Sequence, residues 1–188
     1  VGLAGAVEPV QLTRTSTSPL TFAVDPIDWT DRLNGTSETN PAPTLFVDAD
    51  GAPAGLKLSD VSFHLNRLVL AGDEIVTMSE EGNHFNFFLV DADNVNDADR
   101  IDKSLSSEQV TIIDFVIPFR NSLIVFTKAG RQFELNSPER LTKETAQFTP
   151  STHYATTADV RPVPMHDSIF FTGPEGDRAR MFDYRYFD

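Results

Sequence analysis

The 188-residue sequence contains no cysteine. Disulfide frameworks, zinc–thiolate sites, cysteine nucleophiles and iron–sulfur ligation are excluded together, and the redox compartment is left open. Basic residues are scarce: 15 Lys and Arg stand against 28 Asp and Glu, a formal net charge of −13. A surface of that sign repels phosphate backbones and disfavours tight or sequence-reading nucleic-acid binding. It leaves room for a wall past which DNA slides without adhering. No apolar run approaches the roughly 18–20 residues that span a bilayer. Nor does any segment sustain an i, i+3, i+4, i+7 stripe long enough for a good helix. Residues 1–7 are small and apolar, but they lack a basic flank and are too short for a signal sequence. The first residue is not Met, and a strand-like run continues to the last residues. Both ends are therefore expected to be cuts in a longer polypeptide.

What is present reads as β-structure. A hydrophobic content of 40% and a charged content of 23% are those of a soluble globular chain, long enough for one ordinary domain. Ten Gly and 12 Pro punctuate short runs rich in Val, Ile, Phe, Thr and Leu. Strands are predicted over residues 61–65, 67–70, 74–78, 110–117, 122–127, 131–135, 168–172 and 179–187. Some alternate: Phe133 and Leu135 share one face, Gln132 and Glu134 the other. Residues 8–13 and 20–24 form a further hairpin across a Thr/Ser-rich turn, and residues 34–43 form a loop. The expected helical content is two short turns, at 27–31 and 97–102.

Three hairpins repeat one pattern of polar pair, apolar strand, Gly-containing turn and return strand. They start at Asn66-Arg67, Asn121-Ser122 and Asp167-Ser168, so their spacing is close to the period of four-stranded propeller blades. The predicted fold is all-β, built of β-propeller-like antiparallel modules belonging to a larger propeller-containing chain. Residues 1–50 would form an N-terminal hairpin and linker, and residues 51–188 a partial set of blades.

Catalytic and metal-binding signals are weak. His64, His84, His153 and His166 show no spacing that places two imidazoles on one metal. The acidic run from Asp91 to Asp102 faintly echoes a calcium loop, but Val95, Asn96 and a final Asp depart from the required ligands and glycine. A solvated loop is the simpler reading. Gly-x-Ser-x-Gly and phosphate-cradling motifs are absent, and no carboxylate pair stands out. Asn34-Gly35-Thr36 matches a glycosylation triplet, which carries no weight without a secretory context. Phe85, Phe87 and Phe88 read as core packing, with a ligand platform as the alternative. No catalytic, cofactor-binding or metal residue is assigned, no cofactor is expected, and the chain is not expected to be an enzyme.

The ordered series Ser59 to Leu68, Asp73-Glu74, Met78-Ser79, Gly82 and Phe85-Asn86-Phe87-Phe88 resembles the tail tubular protein B (tail nozzle) family of short-tailed bacteriophages. The resemblance continues backwards through Trp29-Thr30-Asp31-Arg32 and Thr39-Asn40-Pro41-Ala42-Pro43. Forwards it runs through Asp97-Ala98-Asp99-Arg100-Ile101-Asp102, Val116-Ile117-Pro118-Phe119, Leu123 to Phe126, Gln132 to Leu135, Leu141, Phe148-Thr149-Pro150, Arg161-Pro162-Val163 and Arg180 to Tyr184. The order and spacing carry it, over most of the chain. The resemblance implies a virion tail component that self-associates into a ring, as a hexamer, and forms a conduit for genome ejection. The implied partners are tail adaptor and tail fibre proteins, phage DNA passing through the lumen without sequence-specific binding, and the host surface at the tail tip. Two alternatives stand beside it: a β-propeller module binding a host-surface glycan or protein, and a carbohydrate-active propeller enzyme with two carboxylates in a cleft.

Overall fold

The structure is a computed structural model that describes residues 10–48, 50, 52, 54, 58–105, 110–137, 139–157, 160–173 and 181–185, the last five by backbone alone. The apolar stretch 1–7, the start of the first predicted strand at 8–9, and residues 179, 180, 186 and 187 of the last lie outside the described residues. The described residues are all-β. Strands β1 (Val10–Thr17) and β2 (Leu20–Pro26) form a two-stranded ribbon. Strands β3 (Leu58–His64), β4 (Arg67–Gly72), β5 (Ile75–Met78) and β6 (Ile101–Ser104) form the first four-stranded sheet, in sequential antiparallel order. The second repeats that order with β7 (Ile113–Phe119), β8 (Ser122–Thr127), β9 (Gln132–Asn136) and β10 (Gln147–Thr152). The third contains β11 (Val163–Met165), β12 (Ser168–Thr172) and β13 (Met181–Arg185).

The repeated hairpins of the sequence are the second and third strands of these three sheets. The polar pair that opens each unit straddles the end of the preceding turn and the first residue of the strand. There Leu65, Asn66, Arg120 and His166 take left-handed backbone angles, with φ from 46° to 58°. Such angles close a tight hairpin with the hand that matches strand twist.

Side-chain alternation explains how the sheets stack. On β8, Leu123 and Val125 face the first sheet, joining Val69, Ala71, Val76, Met78 and Ile101 in one core. The alternate residues Ile124 and Phe126 face the third sheet and meet Ile169 and Phe171. Strand β8 is thus apolar on both faces because both faces are covered. Strand β4 behaves likewise: Leu68 and Leu70 point away from the second sheet, towards Leu45 and Phe87 with Trp29 and Phe46 against them. Burying each such side chain contributes about 1.5–3 kcal/mol, which makes these layers the main source of stability. The first strands of the three sheets are neighbours: β3 lies beside β7, and β7 beside β11.

Among the described residues there is no helix, which corrects the two expected helical turns. At 27–31 the chain has no regular structure and is tied to the cover instead: Thr30 N–H donates to Phe85 O (3.0 Å) and the Trp29 ring packs edge-on against Phe87 at 5.5 Å. At 97–102 the buried Asp99 carboxylate accepts from the N–H groups of Asn96 (2.7 Å) and Val90 (3.3 Å). A short acid capturing nearby backbone donors competes with a helix, and β6 begins at Ile101 instead.

Arg67 fixes that loop to the first sheet. Its side chain is 1% exposed, and its guanidinium donates to the carbonyls of Ser79 (2.8 Å), Ala98 (2.9 Å), Asp99 (2.6 Å) and Asp97 (2.9 Å). Burial pulls its pKa down from the ordinary value, and Glu81 partly offsets this. Replacement of Arg67 by Met should cost about 3–5 kcal/mol, because the carbonyls stay buried without their donor. Chemical denaturation of the variant checks this; a loss below about 1 kcal/mol would show that water replaces the guanidinium at no cost.

Candidate functional site

A polar seam runs along the three first strands. Both β3 and β7 carry a register shift at the same level, between Leu58 and Asp60 in one and between Ile113 and Phe115 in the other. A bulge re-aims the side chain beside it, and here the re-aimed group is Asp60. Its Oδ2 accepts from Val116 N–H on β7 at 2.8 Å. Its Oδ1 accepts from Val61 N–H at 2.9 Å and from Arg161, which precedes β11. Arg161 also donates to Val116 O at 3.2 Å and lies over the Phe115 ring, 5.9 Å from its centroid. One carboxylate therefore joins β3, β7 and the entry to β11, with the Asp60 side chain only 9% exposed. Two more ties join the sheets at their rims. Arg140 reaches Glu81 (2.8 Å) and Asp97 (3.4 Å) on the first sheet's loop, and Arg120 pairs with Asp167 (3.0 Å) between the second and third sheets. These rim pairs are exposed, and each contributes at most about 1 kcal/mol.

A second constellation covers the outer face of the first sheet. Asn40 is fully buried; its Nδ2 donates to Asn34 O and Leu89 O, and its Oδ1 accepts from Leu89 N–H. Arg32 donates to Asn40 O (2.7 Å) and lies over the Phe88 ring. Arg100 donates to Pro41 O (2.8 Å) and stands 3.7 Å from Asp102. Asp102 in turn accepts from Thr44 and Thr77. Gly35, at φ +79°, lies where a Cβ would meet Ala92 Cβ at 2.7 Å, so the close approach needs glycine. This network positions a cover rather than a reactive group.

The residues weighed in the sequence for chemistry are dispersed. His64 ends β3 and is buried, its Nε2 without a partner among the described residues. His84 stacks edge-on with Phe63, and His166 sits in an exposed turn beside Asp167. His153 is exposed, beyond β10. In the acidic run, Asp99 and Asp102 serve backbone and hydroxyl donors while Asp91 accepts from Asp93 N–H. No group of three or more metal-ligating side chains occurs among the described residues. Phe87 and Phe88 are buried, and Phe85 is half exposed against Trp29. Sequence reasoning assigned no role to Asp60, Arg161, Arg67 or Arg100. Only Arg67 carried a signal, as a lone charge opening the apolar strand β4.

Two comparisons bear on identity. A family model described as bacteriophage nozzle protein matches residues 2–188. The tail tubular protein gp12 of Escherichia phage T7 is 26% identical over 158 residues, which is 84% of this chain and 19% of that protein. The chain thus spans about a fifth of the length of this curated relative.

Two outcomes follow from the seam and its surroundings. In a double-mutant cycle of Asp60→Ala and Arg161→Ala, the coupling measured by denaturation should be about 1–2 kcal/mol, as for residues in direct contact; additive losses would show that the seam is incidental. The pH profile should carry two opposed slopes. Burial holds His64 below its ordinary 6.5 despite a hydrogen bond with the Asn121 backbone, so unfolding takes up a proton and stability falls as pH drops below 6.5. Burial raises Asp114 above its ordinary 3.8, with Lys128 opposing, so stability falls as pH climbs from 3.8 through the raised value. Thermal melts of His64→Gln and Asp114→Asn should each lack the corresponding slope; unchanged slopes would contradict the assignment.

Proposed function

The chain belongs to the bacteriophage nozzle protein family, and from that premise we propose that its stacked sheets form a segment of the wall around the passage by which the genome leaves a short tail. Membership makes the chain a structural component of the virion tail. The observation that carries the finer reading is the adjacency of β3, β7 and β11, each the first strand of its sheet, joined through Asp60 and Arg161. Copies set around one axis with this row innermost would make the first strands the lining of a passage, much as the first strands of β-propeller blades line a central channel. The far face of the third sheet, where Val163 and Met165 are exposed, suits the addition of a further sheet, whereas on the first sheet residues 27–48 cover β4 and leave Val61 and Phe63 of β3 exposed.

In this reading residues 1–50 form the hairpin and linker, and residues 51–188 the blades. Copies join in a ring, a hexamer, that meets a tail adaptor and tail fibres and approaches the host surface at its tip. The protein works by shape and catalyses nothing. Its charge of −13 suits the role, because each phosphate contact avoided removes a salt-sensitive attraction that would hold DNA in the passage. Lysine substitution of the acids that border the passage should slow genome ejection, and more so at low salt. Single-particle ejection kinetics across a salt series measure this, and rates that do not change would contradict the proposal.

A further inference from the structure

Residues 27–48 cover the outer face of the first sheet and a further sheet would cover that of the third, but neither accounts for the β1–β2 ribbon. Among the described residues, every hydrogen bond of residues 10–26 stays within the ribbon. Val10, Leu12, Leu20, Phe22 and Val24 are 49–63% exposed. The pairing of Leu12 with Val24 and of Val10 with Pro26 puts most of that row on one face. Gln11, Thr13, Ala23 and Asp25 take the other. A lone two-stranded ribbon is marginal in water, and a contiguous apolar row of this size marks a contact surface.

Among the described residues each strand of the ribbon pairs only with the other, which leaves both edges open there. Folded proteins blunt such edges with lysine, proline or bulges. Here residues 10–26 contain no lysine, the prolines lie at the turn (Pro19) and the end (Pro26), and the one register shift falls beside the turn, between Arg14 and Ser16. Regular, unprotected edges remain at residues 10–13 and 22–25. Charge selects the partner. The only charged side chains in residues 10–26 are Arg14 and Asp25, a net of zero in a chain of −13. Two copies repel each other through most of their surface, and the ribbon is where they can meet without that opposition.

Resting on the tail-wall reading, we propose that the ribbon is the joint between copies: β1 of one copy pairs antiparallel with β2 of the next. Edge-to-edge pairing is head-to-tail, so it closes on itself when the copies form a ring. The ribbons then merge into one continuous sheet around the assembly, with the apolar rows side by side on one face. The absence of native cysteine makes the test direct. The full chain carrying Thr13→Cys is mixed in turn with chains carrying Thr21→Cys, Ala23→Cys or Asp25→Cys, and oxidised. Each chain then holds a single thiol, so every disulfide joins two copies.

Adjacent strands bring Cα atoms within disulfide range, whereas like strands two positions apart lie too far. One of the mixtures should therefore give several-fold more linked dimer than Thr13→Cys alone. Val24→Lys should abolish assembly in sedimentation while leaving the melting of the three-sheet body unchanged. Linked dimer in no mixture, or equally in Thr13→Cys alone, would overturn edge pairing, the latter in favour of ribbons stacked face to face. Sedimentation of the unsubstituted chain separates the two proposals. Assembly without any cross-link sinks the pairing and leaves the tail wall standing. Cross-links in a protein whose sheets lie away from the passage in the virion sink the wall and leave the pairing.

Discussion

The fold depends on one constraint: β8 is apolar on both faces and has to be sandwiched. Leu123 and Val125 commit one face to the first sheet, while Ile124 and Phe126 commit the other to the third. A strand of this kind is not stable at a surface, so the second sheet exists only between two neighbours. The same requirement passes outwards. Strand β4 is buried along its whole length, and with its inner face against the second sheet, its outer face draws residues 27–48 into a cover centred on Trp29, Phe46 and Phe87. Successive burial of two-faced strands produces a stack that grows by adding sheets, which is the property a wall needs.

Polar contacts set the geometry of that stack more than its stability. Exposed pairs such as Arg120–Asp167 are worth about 1 kcal/mol or less, far below the layers they connect. The buried charges act differently. Arg67 and Asp99 both sit where backbone groups of one loop converge, and each satisfies several at once. A buried ion adds little net stability when it forms, but its removal leaves stranded partners. Such groups specify one conformation for a loop that has no regular structure of its own. Asp60 does the same between sheets, because its position fixes how β3 and β7 align.

Much of this was legible in the sequence, for reasons tied to particular residues. Strands β4, β8 and β12 announced themselves as apolar runs bounded by turn residues, and their recurrence gave the repeat. Strands β6, β10 and β11 went unpredicted because they are outer or short strands with little apolar pattern. Strand β6 reads Ile-Asp-Lys-Ser, β10 carries Pro150, and β11 has three residues with Pro164 at its centre. Proline is tolerated at a sheet edge but masks the strand signal. The family resemblance pointed to Trp29, Arg32, Asn40, Asp99, Arg100 and Asp102 without giving them roles. The structure gathers all six into one cover or its anchoring loop. The Asp60–Arg161 contact joins residues 101 positions apart, and no local pattern encodes such a pairing. The same holds for the open edges of the β1–β2 ribbon, since a hairpin pattern specifies which strands pair within a chain and nothing about what lies beyond them.

The central claim is that the row of first strands borders the passage. A map of the intact virion tail in which this chain is traced measures that most directly. The account predicts several copies related by rotation about the tail axis, with β3, β7 and β11 nearest the axis and β6 and β10 on the outside. Finding the first strands turned outward, or the chain present in a single copy off the axis, would contradict it.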